Sequence, residues 1–206
     1  MSKGFVYVAS NNVRGVKGID YIKEAVFSAM SLKKHNPDAN ITLITDKKIE
    51  TDVFTNVIIS NDMSLRCKQN ELLKSPYEKT LYLDTDTYVN HNLDDIFDLL
   101  NKYELVGCND YSRKRTLKEI PEYMKIPYCF SELNGGVFGY KKCDNFNKFI
   151  ELWKHYYNKY KHKMLWDQPS LRISLWESNI NLYILPNEYN RRGKHIKEKC
   201  INLRKN

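Results

Sequence analysis

Short apolar runs separated by polar turn residues dominate the first hundred residues of the chain. The runs at residues 5–10, 41–45, 57–59 and 80–83 each predict a buried strand. Between the first two, Asp20 precedes a stretch in which apolar residues recur at steps of three and four up to His35, which predicts a capped helix. A second helix is predicted at residues 65–74. This order of elements is typical of one half of a doubly wound α/β sheet.

The pattern changes after residue 100. A strand is predicted at residues 104–108, whereas residues 110–129 are polar, basic and aromatic without a period, which is typical of a lid or binding loop. The glycines at 135 and 136 predict a turn that leads into a strand. An apolar stripe then predicts a core-facing helix: Phe146, Phe149, Ile150, Trp153 and Tyr157. A helix after Asp167 and a strand at residues 182–185 follow, and we expect one α/β domain over residues 1–206.

Two acids stand directly after the apolar strand at residues 80–83. In an extended stretch Asp84 and Asp86 would point to one side and Thr85 to the other, so both carboxylates could reach one divalent cation. The carboxyl end of a buried strand is also where open α/β sheets bind ligands, and such a cation would neutralise a diphosphate. Acids after a strand are, however, common turn and helix-cap residues, so the pair alone does not establish a metal site.

The charge of the chain is unevenly distributed. The net charge is +8, and residues 141–206 hold 15 Lys and Arg against 6 Asp and Glu, which accounts for the whole excess. The basic third carries no zinc-finger spacing, RNA-binding strand motif or helix-turn-helix, so a nucleic-acid partner is not expected. An anionic nucleotide, a polyanionic acceptor, a membrane surface or a merely solvated face would each explain it.

Cysteine usage and the start of the chain indicate the compartment. The five cysteines are widely spaced with no C-x-x-C pair, which favours reduced thiols over a disulfide framework or a zinc site. No apolar run approaches the roughly 20 residues that span a bilayer, and the first strand begins without a secretory segment. We therefore expect a cytoplasmic protein without a transmembrane segment.

Several separated segments together resemble one family, the GT-A type nucleotide-sugar glycosyltransferases, most closely glycosyltransferase family 8 with glycogenin and the bacterial galactosyltransferases. Residues 77–86 (YEKTLYLDTD) resemble the family's approach to its metal-binding acids, and Asn134-Gly135-Gly136 is similar to its Asn-Ser/Ala-Gly turn. Residues 166–169 (WDQP) are similar to its Asp-Gln pair at a helix start, and residues 185–190 (LPNEYN) to its late Leu-Pro…Asn element. The resemblance covers about residues 5–190.

The resemblance implies a Rossmann-like, mixed but mostly parallel sheet flanked by helices. It implies a nucleotide-binding half at about residues 1–100 and an acceptor and donor-sugar half at about residues 101–206. The residues that it assigns to nucleotide or donor binding are Val8, Ser10, Asn11, Tyr21, Lys68, Asp84, Thr85, Asp86, Asn134, Gly135 and Asn190. Asp167 and Gln168 take the catalytic places, although Asp167 would also serve as an ordinary helix cap.

The metal implied by the resemblance is Mn²⁺ or Mg²⁺, held by Asp84, Asp86 and a histidine. The family usually ends in a His-x-x-Gly-x-x-Lys segment, whereas here the late histidine, His195, lacks the following glycine. Either His195 substitutes in a shortened loop or the sequence ends before the segment, in which case a further domain is also possible.

The expected activity is a metal-dependent transfer of a hexose from a nucleotide-diphosphate sugar, most simply a UDP-sugar, to a hydroxyl of a glycan, protein or lipid acceptor. Two alternatives stay open. A haloacid dehalogenase-like phosphatase also uses D-x-D after an apolar strand, but normally on its first strand. The other is a basic module that binds nucleic acid or glycans and carries a degenerate metal site.

Overall fold

A computed structural model describes residues 1–12, 18–61, 63–64, 68–110, 117, 119–164, 166–192 and 200–202. The strands are β1 Lys3–Val8, β2 Ile41–Thr45, β3 Asn56–Ile59, β4 Lys79–Leu83, β5 Thr87–Val89, β6 Leu105–Asn109, β7 Leu133–Lys141, β8 Leu182–Leu185, β9 Arg191–Arg192 and β10 Cys200–Asn202. The helices are α1 Tyr21–His35, α2 Lys68–Glu71, α3 Asp95–Leu99, α4 Pro121–Lys125, α5 Asp144–Tyr160 and α6 Gln168–Ser178.

In the described part of the chain, seven strands form one mixed sheet in the order β3-β2-β1-β4-β7-β6-β8. Strand β7 runs antiparallel to both β4 and β6, while the other neighbours pair in parallel. The amino end of β7 therefore lies beside the carboxyl ends of its neighbours, with Leu83 opposite Val137 and Asn109 opposite Leu133. This confirms the expected mixed, mostly parallel sheet and brings residues from three strands to one edge.

The sheet separates two apolar layers. On the face covered by α1 and α3, the packed strand residues include Phe5, Leu43 and Leu81. On the face covered by α5 and α6 they include Tyr82 and Phe138. The predicted stripe of α5 is buried as expected at its first four positions, from Phe146 to Trp153. At the next turn Tyr156 is buried and Tyr157 only partly so, which shifts the buried stripe by one residue.

The start of α1 agrees with the sequence pattern. Asp20 is its N-cap and accepts a hydrogen bond from the Lys23 amide at 2.9 Å. That bond, together with one from Asn11, lowers the pKa of Asp20. Farther along α1, Ser28 Oγ lies 2.8 Å from Thr87 Oγ1. This buried contact fixes α1 against β5, the strand that follows the two acids.

Three expectations about the chain are corrected. Residues 134–136 are not a turn but the first part of β7, and β1 begins before residue 5 and ends at Val8. The segment 110–129 is not wholly a loop, because it contains α4, and Ile120 and Ile126 are buried against α5 and α6. Residues 111–116 and 118 lie outside the described residues. Strands β9 and β10, only two and three residues long, were not predicted and pair beside β5.

Candidate active site

Polar side chains gather at the edge where β1, β2, β4 and β6 end and where β7 and α6 begin. Asp84 directly follows β4, Asp110 directly follows β6, and Asp167 directly precedes α6. Backbone hydrogen bonds fix the first two against β7, from the Asp84 amide to the Gly136 carbonyl and from the Asp110 amide to the Glu132 carbonyl, both 2.7 Å long. The edge is thus a rigid platform for side chains that are distant in sequence.

The segment that holds the two predicted metal ligands is a turn. The amide of Thr87 donates to the carbonyl of Asp84 at 3.2 Å, and the Thr87 hydroxyl donates to the same carbonyl at 2.8 Å. The expectation that Asp84 and Asp86 point to the same side of an extended stretch is therefore wrong, because residues 85 and 86 form a turn. Thr85 is buried rather than directed away from the site, and its hydroxyl donates to Glu24 of α1 at 3.1 Å.

The two carboxylates have different surroundings. Asp84 is held by the Tyr82 hydroxyl, which donates to Oδ1 at 2.6 Å, and it faces the start of β7. Asp86 is 9% exposed and lines a cleft of about 240 Å³ together with Lys23, Glu24, Phe27 and Thr85. The turn thus presents one acid to β7 and the other to a cleft beside α1.

Lys68 links Asp84 to the start of α6. Its Nζ donates to the Gly135 carbonyl at 2.8 Å and lies 3.7 Å from Asp84 Oδ1 and 3.7 Å from Asp167 Oδ2. Only 15% of the lysine side chain is exposed. The centre of the Trp153 ring, on α5, lies 6.0 Å from the Lys68 Nζ. One ammonium therefore holds two acids that are 83 residues apart in the chain.

The position of Asp167 distinguishes the two interpretations of this residue. Its side chain makes no capping hydrogen bond, and its backbone is already helical. The residue is 6% exposed, and among the described residues Oδ2 has no hydrogen-bond partner although it is buried. Asp167 is thus not a side-chain cap, and its carboxylate is directed toward Lys68.

The two glycines after Asn134 make room for these polar groups. A Cβ on Gly136 would lie 2.9 Å from Asp84 Oδ2 and 3.0 Å from Asn134 Oδ1, and a Cβ on Gly135 would lie 3.1 Å from Lys68 Nζ. Glycine is required here because of close approach and not because of a turn. Asn134 Oδ1 accepts a hydrogen bond from the Gly136 amide at 2.9 Å, so the asparagine supports this close packing.

Gln168 is held by two acids that sequence reasoning did not identify. Its Nε2 donates to Asp110 Oδ2 at 2.8 Å and to Glu132 Oε1 at 3.1 Å. The other oxygen of Glu132 accepts a hydrogen bond from the Tyr123 hydroxyl at 2.9 Å. Burial, with the neighbouring Glu132 carboxylate, raises the pKa of Tyr123 to about 12, so this tyrosine remains a donor at neutral pH.

The residues predicted for the nucleotide lie around the end of β1. Ser10 donates to Asp46, which follows β2, at 2.6 Å, and Asn11 Oδ1 accepts from the Ile22 amide at 3.3 Å. Val8 and Tyr21 are partly buried and pack against the core. The sequence placed these residues at one edge, and there their side chains support the local fold.

Asn190 follows the 3₁₀ turn Asn187–Tyr189 after β8. It is 7% exposed, and neither its Nδ2 nor its Oδ1 has a hydrogen-bond partner among the described residues. Buried amides normally have partners, so this side chain has unused capacity to bind a ligand or water.

Asp84 and Asp86 are oxygen donors of the kind that a hard divalent cation prefers. Within the described ranges no three His, Cys, Asp or Glu side chains are placed so that they could hold one metal ion, and His195 lies outside those ranges. Mg²⁺-type ions in phosphate-binding sites commonly use only one or two carboxylates and complete their shell with substrate oxygens and water. Asp84 and Asp86 provide that number of carboxylates, but Asp84 faces the start of β7 whereas Asp86 lines the cleft beside α1.

Asp46, Asp110 and Glu132 could have been found only in part from sequence. Asp46 and Asp110 each follow a predicted strand, which is a recognisable signal for the ligand-binding edge. Glu132 gives no such signal, because its position depends on the pairing of β6 with β7.

The fold of the chain is similar to solved glycosyltransferase structures, although no match is found at the level of sequence. No protein-family model and no curated protein sequence matches the chain. Similar solved structures include the galactosyltransferase LgtC in complex with donor and acceptor sugar analogs, at 13% identity and a TM-score of 0.67, covering 98% of this chain and 87% of that chain. An active-site mutant of LgtC has 14% identity and a TM-score of 0.66, with the same coverage of both chains.

The glycosyltransferase GlyE from Streptococcus pneumoniae TIGR4 has 15% identity and a TM-score of 0.68, covering 98% of this chain and 55% of that chain. The expected GT-A type fold is thereby confirmed, and at these identities the likeness establishes the fold alone. Within the described residues, no helix combines the length and the apolar composition needed to cross a membrane.

Proposed function

We propose that this chain is a glycosyltransferase that moves a hexose from a nucleotide-diphosphate sugar, UDP being the nucleotide, to a hydroxyl of an acceptor. The observation that carries the proposal is the Lys68 ammonium between Asp84 and Asp167 at the carboxyl edge of the sheet. In open α/β sheets this edge binds ligands. The LgtC structure with donor and acceptor sugar analogs supports a two-substrate reaction in this fold.

Asp84 and Asp86 would hold Mn²⁺ or Mg²⁺ beside the donor diphosphate. A divalent ion there would supply Lewis-acid stabilisation of the negative charge on the departing diphosphate. Lys68 adds a positive charge to the same region, from a site where only 15% of its side chain meets solvent. A partly desolvated ammonium stabilises developing negative charge more strongly than an exposed one does.

Asp167 and Gln168 would face the sugar. The Asp167 carboxylate is buried and has an oxygen without a hydrogen-bond partner among the described residues, so it is available to a sugar hydroxyl or to positive charge at the anomeric carbon. Asn134, Gly135 and Gly136 would border the donor at the start of β7, where the two glycines leave room for the Lys68 and Asp84 side chains.

The nucleotide would occupy the end of β1, where Val8, Ser10, Asn11 and Tyr21 lie, with Thr85 and Asn190 at its border. The phosphatase alternative is disfavoured because the two acids follow β4, in the middle of the sheet, and not the first strand. A basic binding module without activity is separated from the proposed enzyme by the experiment below.

A thermal-shift panel tests the proposal. Wild type and Asp86→Asn are melted with UDP-, GDP- and dTDP-sugars, each with and without Mn²⁺. At 100 times its Kd a ligand adds about 2.7 kcal/mol to stability, which is about 5–10 °C for a chain of this size. We expect a shift for UDP-sugars with Mn²⁺ in the wild type and none in Asp86→Asn. No shift with any nucleotide would contradict the proposal, as would an equal shift in the variant.

A further inference from the structure

The Gln168 amide is oriented by its surroundings. Both hydrogens of Nε2 are directed to carboxylates, one to Asp110 and one to Glu132. Ionised carboxylates only accept hydrogen bonds, so a reversed amide would place its oxygen against two acceptors. The observed orientation leaves the Gln168 carbonyl oxygen, Oε1, as the end that can accept a bond from a ligand.

Glu132 is itself fixed from the opposite side. The residue is 7% exposed, and its second oxygen accepts the Tyr123 hydrogen bond from α4. Arg172 of α6 lies over the Tyr123 ring at 4.9 Å and donates to the carbonyls of Pro127 and Phe130 at 3.0 and 3.1 Å. A buried carboxylate with both oxygens in use has little freedom to rotate, so it can hold the amide in one position.

We propose that Glu132 is a positioning residue of the transfer site, which fixes the Gln168 amide so that its carbonyl oxygen faces the donor sugar. This inference rests on the proposed function. Positive charge develops at the anomeric carbon in glycosyl transfer, and a preorganised carbonyl oxygen stabilises it, whereas an amide NH₂ in the same place would oppose it. Glu132 thus acts through Gln168 without touching the substrate.

Substitution of Glu132 distinguishes a role in positioning the Gln168 amide from a role in binding the donor. In Glu132→Ala one N–H of Gln168 loses its partner and the amide can rotate, so we expect kcat for donor hydrolysis or transfer to fall about tenfold. The KM for the donor should change less than twofold. In Glu132→Gln the new carbonyl can still accept from Gln168, so kcat should stay within about threefold of the wild type.

A second readout does not depend on activity. The side-chain ¹⁵N–¹H resonances of Gln168, assigned by their loss in Gln168→Ala, report its hydrogen bonds directly. We expect them to move upfield and to exchange faster with solvent in Glu132→Ala, and to stay close to the wild type in Glu132→Gln. The matched control is Glu177→Ala, which removes the bond from Tyr156 to Glu177 at the other end of α6, about 13 Å away.

The two readouts distinguish the possible failures. If the wild type acts on no nucleotide sugar, the proposed function fails, while the Gln168 resonances still decide whether Glu132 fixes the amide. Unchanged resonances in a folded Glu132→Ala would overturn the positioning role, and so would a loss confined to KM. If Glu132→Ala does not fold, a Glu132→Gln variant with shifted Gln168 resonances and wild-type kcat would overturn it equally.

Discussion

Replacing Lys68 by methionine removes the charge at the centre of the site while keeping a side chain of similar length. In the wild type the ammonium donates to the Gly135 carbonyl at 2.8 Å and lies 3.7 Å from both Asp84 and Asp167. Methionine can still pack beside Trp153, but it leaves two acids near each other without a cation. We therefore expect Lys68→Met to destabilise the fold, and not only to impair activity.

The loss of stability in Lys68→Met depends on how far each of the two acids is exposed to solvent. A hydrogen bond from a charged group contributes about 1.5–3 kcal/mol, and breaking a buried ion pair costs more because the remaining charge stays buried. Asp167 is nearly buried, with 8% of its side chain exposed, whereas Asp84 is 30% exposed and can recover hydration. The net loss should be about 2 kcal/mol, which lowers Tm by about 4–8 °C for a chain of this length.

Equilibrium urea unfolding, followed by tryptophan fluorescence and circular dichroism, measures this loss. The control is Lys154→Met, which removes a surface pair with Glu151 whose side chains are 25% and 68% exposed. Surface pairs contribute about 0–1 kcal/mol, so the control should remain close to the wild type. Equal stability of the two variants would refute the conclusion that the Lys68 ammonium holds the two acids together.

Two further predictions concern β7 and α4. Gly136→Ala should lower the free energy of unfolding by about 1–3 kcal/mol, because its Cβ would meet the short Asp84 side chain. Gly135→Ala should lower it less, because its Cβ would meet the flexible end of the Lys68 side chain. The reverse order in thermal unfolding would contradict the steric explanation. Hydrogen bonds from Lys159 and from a tyrosine of α5 lower the pKa of Glu122 to about 2, from an ordinary value of 4.5. This contribution is present above about pH 4.5 and is lost as pH falls toward 2. Glu122→Gln should therefore be less stable at pH 7, by about 1 kcal/mol after allowance for solvent screening, and should lose less stability between pH 4.5 and 2; an unchanged pH profile in urea unfolding would be the contrary result.

Much of the fold could be predicted because its elements carry local signals. Strands β2 and β8 have the predicted bounds, and α1 begins at the predicted cap and ends at His35. Each signal comes from residues within one element, apolar runs for the strands and steps of three and four for the helix. The two shortest strands, β9 and β10, offer too few residues for any pattern, and they exist through pairing with each other and with β5.

The site was predictable as a set of residues but not as a geometry. Lys68, Asp84 and Asp167 were all identified, yet the link among them depends on α2 and α6 both packing against α5, and on α6 packing against β7. The two glycines at 135 and 136 gave a turn signal, and only the antiparallel register of β7 shows that they make room for neighbouring side chains. Glu132 required that same register to reach Gln168.

The central claim is that the Asp167 carboxylate serves the sugar and not the helix. Nucleotide release from a UDP-hexose, with and without acceptor, in wild type and in Asp167→Asn, tests it most directly. Because the side chain makes no capping bond, Asp167→Asn should still fold and bind UDP nearly as the wild type does, and its loss of stability should not exceed that of Lys68→Met because it removes one of the two acids beside Lys68. Its turnover should fall at least tenfold, which corresponds to about 1.4 kcal/mol or more of transition-state stabilisation. Wild-type turnover in a folded Asp167→Asn would contradict the account.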